Sequence, residues 1–134
     1  PEPIERIVRG GYIPVIAPLA IHKVESQDQN GVILNVNGDT AAGEIAKELA
    51  ADSVIFLTDV EGIMDADSKV LESIESEKIS DLIRSGTIDG GMVPKVQACI
   101  KALEKVRSAQ IIDGRKSRAL LNFLAGENTG TRII

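Results

Sequence analysis

The sequence has one cysteine, Cys99, which excludes an internal disulfide. Cys99 falls within an apolar helical pattern, where a thiol behaves as a small buried hydrophobe. A reduced, cytoplasmic setting is consistent with this usage. Aromatics are nearly absent: Tyr12, Phe56 and Phe123 are the whole set. That speaks against a base-stacking platform and requires an aliphatic core. The one histidine, His22, lies in a polar stretch, so neither His-based acid–base chemistry nor a His-rich metal site is supported. No Lys/Arg cluster is present and the net charge is −5, so no nucleic-acid partner is expected. No apolar run approaches the ~20 residues of a membrane span. The opening Pro1-Glu2-Pro3-Ile4-Glu5 is no signal peptide, so no membrane partner is expected either. The P-loop and G-x-G-x-x-G phosphate motifs are both missing.

The remaining composition is that of an ordinary globular domain, 43% apolar and 26% charged. At 134 residues the chain is the size of one domain and can bury a single core. It does not begin with Met, which suggests a processed or truncated product, although Met removal before Pro would look the same.

Helix and strand signals alternate along the chain. Residues 4–9 read as the end of a short helix stopped at Gly10-Gly11. Residues 12–17 (YIPVIA) read as a buried strand, residues 22–30 as a polar loop, and residues 31–37 as a second strand. Ala41, Ala42, Ile45, Ala46, Leu49 and Ala50 line one helix face. The continuous β-branched run at 53–57 fits a strand buried on both faces. Turn chemistry follows at 59–67, then a short helix around Ile79, Leu82 and Ile83. Val93, Val96, Ile100, Leu103 and Val106 form a helical stripe after a flexible Gly90-Gly91 joint. A strand at 109–112, a helix at 118–124 and a last strand at 131–134 complete the series. The expected fold is an α/β three-layer sandwich, a mostly parallel sheet flanked by helices. Ligands of such sheets bind at the carboxyl ends of strands.

Three segments lie there. In Asn35-Val36-Asn37-Gly38-Asp39-Thr40, alternation puts Asn35 and Asn37 on one side. Asp39 opens a helix, either as its N-cap or as an anionic organiser of cationic side chains around a phosphate. In Leu57-Thr58-Asp59-Val60-Glu61-Gly62-Ile63, Asp59 and Glu61 are candidate acceptors for a ribose or adenine amino group, or ligands for Mg²⁺. A plain surface turn fits equally, with Gly62 supplying the backbone angle. In Asp89-Gly90-Gly91-Met92-Val93-Pro94-Lys95-Val96, Pro94 fits the first helical position. Lys95 then opposes the helix dipole, at a cost of a few tenths of a kcal/mol. It is either a solvated lysine or one that adds a full positive charge to an anion-binding helix terminus.

Together these segments resemble acetylglutamate kinase, of the amino acid kinase superfamily. Tyr-Ile-Pro-Val-Ile-Ala-Pro at 12–18, Ile-Ile-Asp-Gly-Arg at 111–115 and Gly-Thr-Arg-Ile at 130–133 extend the resemblance over nearly the whole chain. It implies transfer of the γ-phosphoryl group of ATP, with Mg²⁺, to the side-chain carboxylate of N-acetyl-L-glutamate in arginine biosynthesis. It implies that Asn35 binds acetylglutamate, that Asp39 organises catalytic lysines, and that Lys95 stabilises the transferring phosphoryl group. Thr58, Asp59 and Met92 would border the nucleotide beside Lys95.

The resemblance also implies a homo-oligomer in the full-length protein, and that residues 1–134 form a single nucleotide-binding domain lacking the N-terminal substrate-binding half. The isolated chain is then expected to be inactive. Where arginine-inhibited members carry a histidine and a glutamate, this sequence has Gln110 and, on a loose alignment, Asn122. Two alternatives stay open. One is the nucleotide half of a glutamate 5-kinase, carbamate kinase or aspartokinase; the other is a non-catalytic regulatory module.

Overall fold

The structure, a computed structural model, describes residues 1–22 and 31–134. In chain order the elements are α1 (Glu2–Arg9), β1 (Leu19–His22), β2 (Val32–Asn35), α2 (Gly38–Glu48), β3 (Val54–Thr58) and β4 (Ser73–Ile74). They continue with α3 (Ser76–Arg84), α4 (Met92–Leu103), β5 (Ala109–Asp113), α5 (Ala119–Leu124) and β6 (Thr131–Ile133). The expected polar loop at 22–30 lies outside the described residues except for His22, which ends β1.

β3, β5, β6 and β4 form one sheet in that order. β3 with β5 and β4 with β6 are parallel; β5 with β6 is antiparallel. The sheet is therefore mostly parallel, as expected, with β6 running against its neighbour β5. All five residues of β5 are buried, as a central strand covered on both faces requires. Ile111 points into an aliphatic core with Val54, Phe56, Val96, Cys99, Ala102 and Ile133. Ile112 faces the other way, beside Ala119 of α5. Burial pushes the Cys99 thiol up to about 12, and the negative charge of Asp39 adds to the effect.

Helices α2 and α4 pack side by side and parallel. Lys95 meets Asp39 at their N-terminal ends, while Lys47 pairs with Glu104 at 2.5 Å and Lys105 with Glu48 at 3.5 Å at the other. Gly43 lets the two backbones approach. A Cβ at that position would lie 2.7 Å from the Ala98 carbonyl oxygen.

Four expectations need correction. Residues 12–17 form no strand, because nothing among the described residues completes a ladder along them. Their apolar side chains are exposed instead, Ile13 at 90% and Val15 at 97%. The second strand is shorter than expected and pairs antiparallel with β1, which sequence patterning missed. The N-cap of α2 is Asn37, whose Oδ1 accepts from the Thr40 N–H at 3.0 Å; Asp39 lies inside the first turn. Finally, α4 starts at Met92, so Pro94 is its third residue. Proline is tolerated there because N–H groups of the first turn have no intrahelical partner.

Candidate functional site

Adjacent parallel strands β3 and β5 end at the same edge of the sheet, at Thr58 and Asp113. The loops that follow are cross-linked. The Gly114 N–H donates to the Thr58 carbonyl at 2.7 Å, and Lys116 pairs with Glu61 at 3.0 Å. Arg115 grips Asp113 with two side-chain bonds of 2.9 Å. Hydrogen bonding from the Arg115 guanidinium holds the Asp113 carboxyl down to about 2. The same bond raises Arg115, and the charges of Asp59 and Glu61 reinforce it.

The N-terminus of α4 faces the loop after β3. Between them lies a cavity of about 360 Å³, lined by Thr58, Asp59, Val60, Asp89, Gly91, Met92 and Lys95. Two segments far apart in sequence thus meet at one edge of the sheet. The Thr58 hydroxyl donates to Asp59 Oδ1 at 3.2 Å, turning the carboxylate next to the strand end. Lys95 Nζ donates to Asp39 Oδ2 at 3.0 Å, with the two side chains 23% and 22% exposed. This pair ties the third segment to the first. The pair fixes a partly buried ammonium in the first turns of α4, with its charge partly offset by the Asp39 carboxylate.

Thr58, Asp59, Met92 and Lys95 therefore share one cavity, and Asp39 reaches it through Lys95. Asn35 ends β2, is exposed, and does not line the cavity. Sequence reasoning singled out neither Asp89 nor Val60, though both lie within the segments it quoted. The Asp113–Arg115 clamp was also missed, although Ile-Ile-Asp-Gly-Arg was noted as a motif. A side chain's partner cannot be read from the strand pattern that surrounds it. Among the described residues no three His, Cys, Asp or Glu side chains cluster to hold a metal. No described helix is long and apolar enough to cross a membrane. A larger cavity, about 480 Å³, opens between β4 and α3 beside Ser73, Lys78 and Leu82, and holds none of the singled-out residues.

The sequence profile of the amino acid kinase family matches residues 1–113. The chain belongs to the amino acid kinase family. Among curated proteins it is similar to the acetylglutamate kinase of Wolinella succinogenes, at 42% identity over 99% of this chain and 46% of that protein. It is also similar to the acetylglutamate kinase of Methanobrevibacter smithii, at 45% identity over 97% and 44%. The chain thus spans less than half the length of these family members. Among solved structures, a carbamate kinase from Giardia lamblia bound to citric acid superposes with a TM-score of 0.64. That match has 31% identity and covers 78% of this chain and 33% of the other. The N-acetylglutamate synthase of Neisseria gonorrhoeae superposes with a TM-score of 0.84 at 24% identity, over 98% of this chain and 30% of that one, a likeness of fold.

Proposed function

We propose that this chain is the nucleotide-binding part of a carboxylate kinase. It would bind ATP and take part in moving the γ-phosphoryl group to the side-chain carboxylate of N-acetyl-L-glutamate. The observation that carries the reading is the Lys95–Asp39 pair, at 3.0 Å, on the wall of a cavity shared with Thr58, Asp59 and Met92. Phosphoryl transfer between two anionic partners depends on positioning and charge neutralisation rather than on a covalent protein group. Lys95 supplies a cation at a defined atom. Asp39 holds it there as a positioning residue. Thr58, Asp59 and Met92 border the nucleotide, and Asn35 contributes to acceptor binding.

Mg²⁺ fits the donor set. Asp59 and Asp89 are the carboxylates of the cavity, and Mg²⁺ takes most of its ligands from water and phosphate oxygens. When bound, it would add positive charge against the phosphates. The choice of N-acetyl-L-glutamate rests on the curated relatives, which carry that name at 42% and 45% identity. Residues 1–134 would act as one nucleotide-binding unit of a larger cytoplasmic homo-oligomer, inactive in isolation.

The test is titration of ATP and ADP with Mg²⁺, followed by kinetics of Lys95→Ala in the natural-length protein. Nucleotide binding with turnover reduced about 10²–10³-fold is expected. Absence of nucleotide affinity, or unchanged turnover, overturns the reading.

A further inference from the structure

The loop after β3 carries Asp59 and Val60 into the cavity. Among the described residues, no backbone hydrogen bond engages the N–H groups of residues 59–62. The loop backbone is instead held at its two ends, with the Glu61 side chain paired to Lys116 between them. At the near end the Thr58 carbonyl accepts from the Gly114 N–H at 2.7 Å. At the far end the Ile63 N–H donates to Thr131 Oγ1 at 2.8 Å, a buried bond between positions 68 residues apart. The Ile63 carbonyl accepts from the Leu71 N–H at 2.8 Å.

Thr131 belongs to β6, is fully buried, and lies outside residues 1–113, the part matched by the family profile. We infer that Thr131 is a positioning residue for nucleotide binding, its hydroxyl setting the path of the Asp59 loop. This rests on the nucleotide reading of the cavity given above.

Three features support the assignment. A backbone N–H buried without an acceptor is costly, and Thr131 Oγ1 is the acceptor that the Ile63 N–H has. Gly62 makes the approach possible, since a Cβ there would lie 2.7 Å from Thr131 Oγ1 and 2.8 Å from Val70 Cγ1. Gly130, at φ +72, brings β6 so close to β5 that a Cβ would overlap the Ile111 carbonyl. The hydroxyl is thus anchored by the sheet, and it holds the backbone of the loop at that end together with the Leu71 bond and the Ile63 side chain in the core.

Thr131→Val keeps the shape and removes the acceptor; Thr131→Ser keeps the acceptor. In the natural-length protein, T131V is expected to bind ADP about tenfold more weakly, with T131S within about twofold of the parent. Hydrogen exchange at the Ile63 amide should quicken about tenfold in T131V and hold in T131S. In the parent protein, ADP should slow exchange across residues 59–63, a measurement that needs no variant to fold. Equal ADP affinity in T131V, with exchange quickened, overturns the positioning role and leaves the nucleotide reading standing. Unchanged Ile63 exchange in T131V, or no effect of ADP on residues 59–63, also overturns it. A parent protein that fails to bind ADP overturns both, and is recognised before any variant is made.

Discussion

Lys95 of α4 donates to Asp39 of α2 across 56 positions of sequence, at 3.0 Å. The contact exists because the two helices start at the same edge and run parallel, joined again at their far ends by Lys47–Glu104 and Lys105–Glu48. Asp39→Asn removes the charge and preserves the shape. It is expected to lower turnover in the natural-length protein about 10²-fold through a displaced ammonium. Both side chains are largely buried, but Asn keeps an oxygen that can accept from Lys95, so the stability loss should be about 1–3 kcal/mol. Steady-state kinetics and urea unfolding separate the two effects. Turnover as in the parent would mean that Asp39 does not hold Lys95 for catalysis.

Gly43 sets the spacing of the same helices. Gly43→Val puts side-chain atoms where a Cβ alone already lies 2.7 Å from the Ala98 carbonyl oxygen. Overpacking of this kind costs about 1–3 kcal/mol. A lower urea midpoint at unchanged slope is expected. A midpoint within error of the parent would show that the helices separate freely.

The Asp113–Arg115 clamp predicts an acid limb. The Asp113 carboxyl falls from 3.8 to about 2 in the folded state, first through its hydrogen bond with Arg115. A depressed acid stabilises the fold fully above its unfolded value and progressively loses that effect as pH falls through the folded one. Stability should therefore decline between about pH 4 and pH 2. Asp113→Asn should flatten this limb in a pH series of thermal melts. An identical acid limb in the variant would assign the decline to other carboxylates.

The segment between α1 and β1 predicts association behaviour. Ile13 and Val15 are almost fully exposed, and Leu19, Ile21 and Ile33 of the β1–β2 hairpin are exposed as well. Exposed apolar side chains in this number bind hydrophobic dyes and drive association. The 134-residue chain should self-associate at micromolar concentration. Ile13→Lys with Val15→Lys should reduce sedimentation-detected oligomers without lowering the melting temperature. A monodisperse parent chain would contradict this.

Much of the fold was legible in the sequence. The β-branched run at 53–57 and the strand expected at 109–112 became β3 and β5. The helix expected around Val96 became α4, although its buried face runs through Val96, Cys99 and Ala102 while Ile100 of the expected stripe is exposed. These signals are local, carried by adjacent residues, but burial on both faces was not theirs to give: β3 is the edge strand of its sheet among the described residues and Leu57 is exposed. The segment at 12–17 failed because its pattern describes a strand's side chains, whereas a strand exists only where a neighbour supplies hydrogen bonds. β4, two residues long, carries too few positions to show a period.

The candidate site divides in the same way. Thr58, Asp59, Met92 and Lys95 could be nominated from the sequence because they follow a strand or open a helix. The capping residue of α2 could not be assigned in advance: Asn37 and Asp39 both suit the role by residue type, and the fold gave it to Asn37. That left the Asp39 carboxylate free for Lys95. By itself, then, the sequence determined most of the helices and strands and which residue types stand at their ends, while the 12–17 segment, β1 and β4 escaped it. The tertiary structure alone decided which ends meet, because the spacing of α2 and α4 and the tether from Thr131 depend on contacts between residues 55 to 68 positions apart.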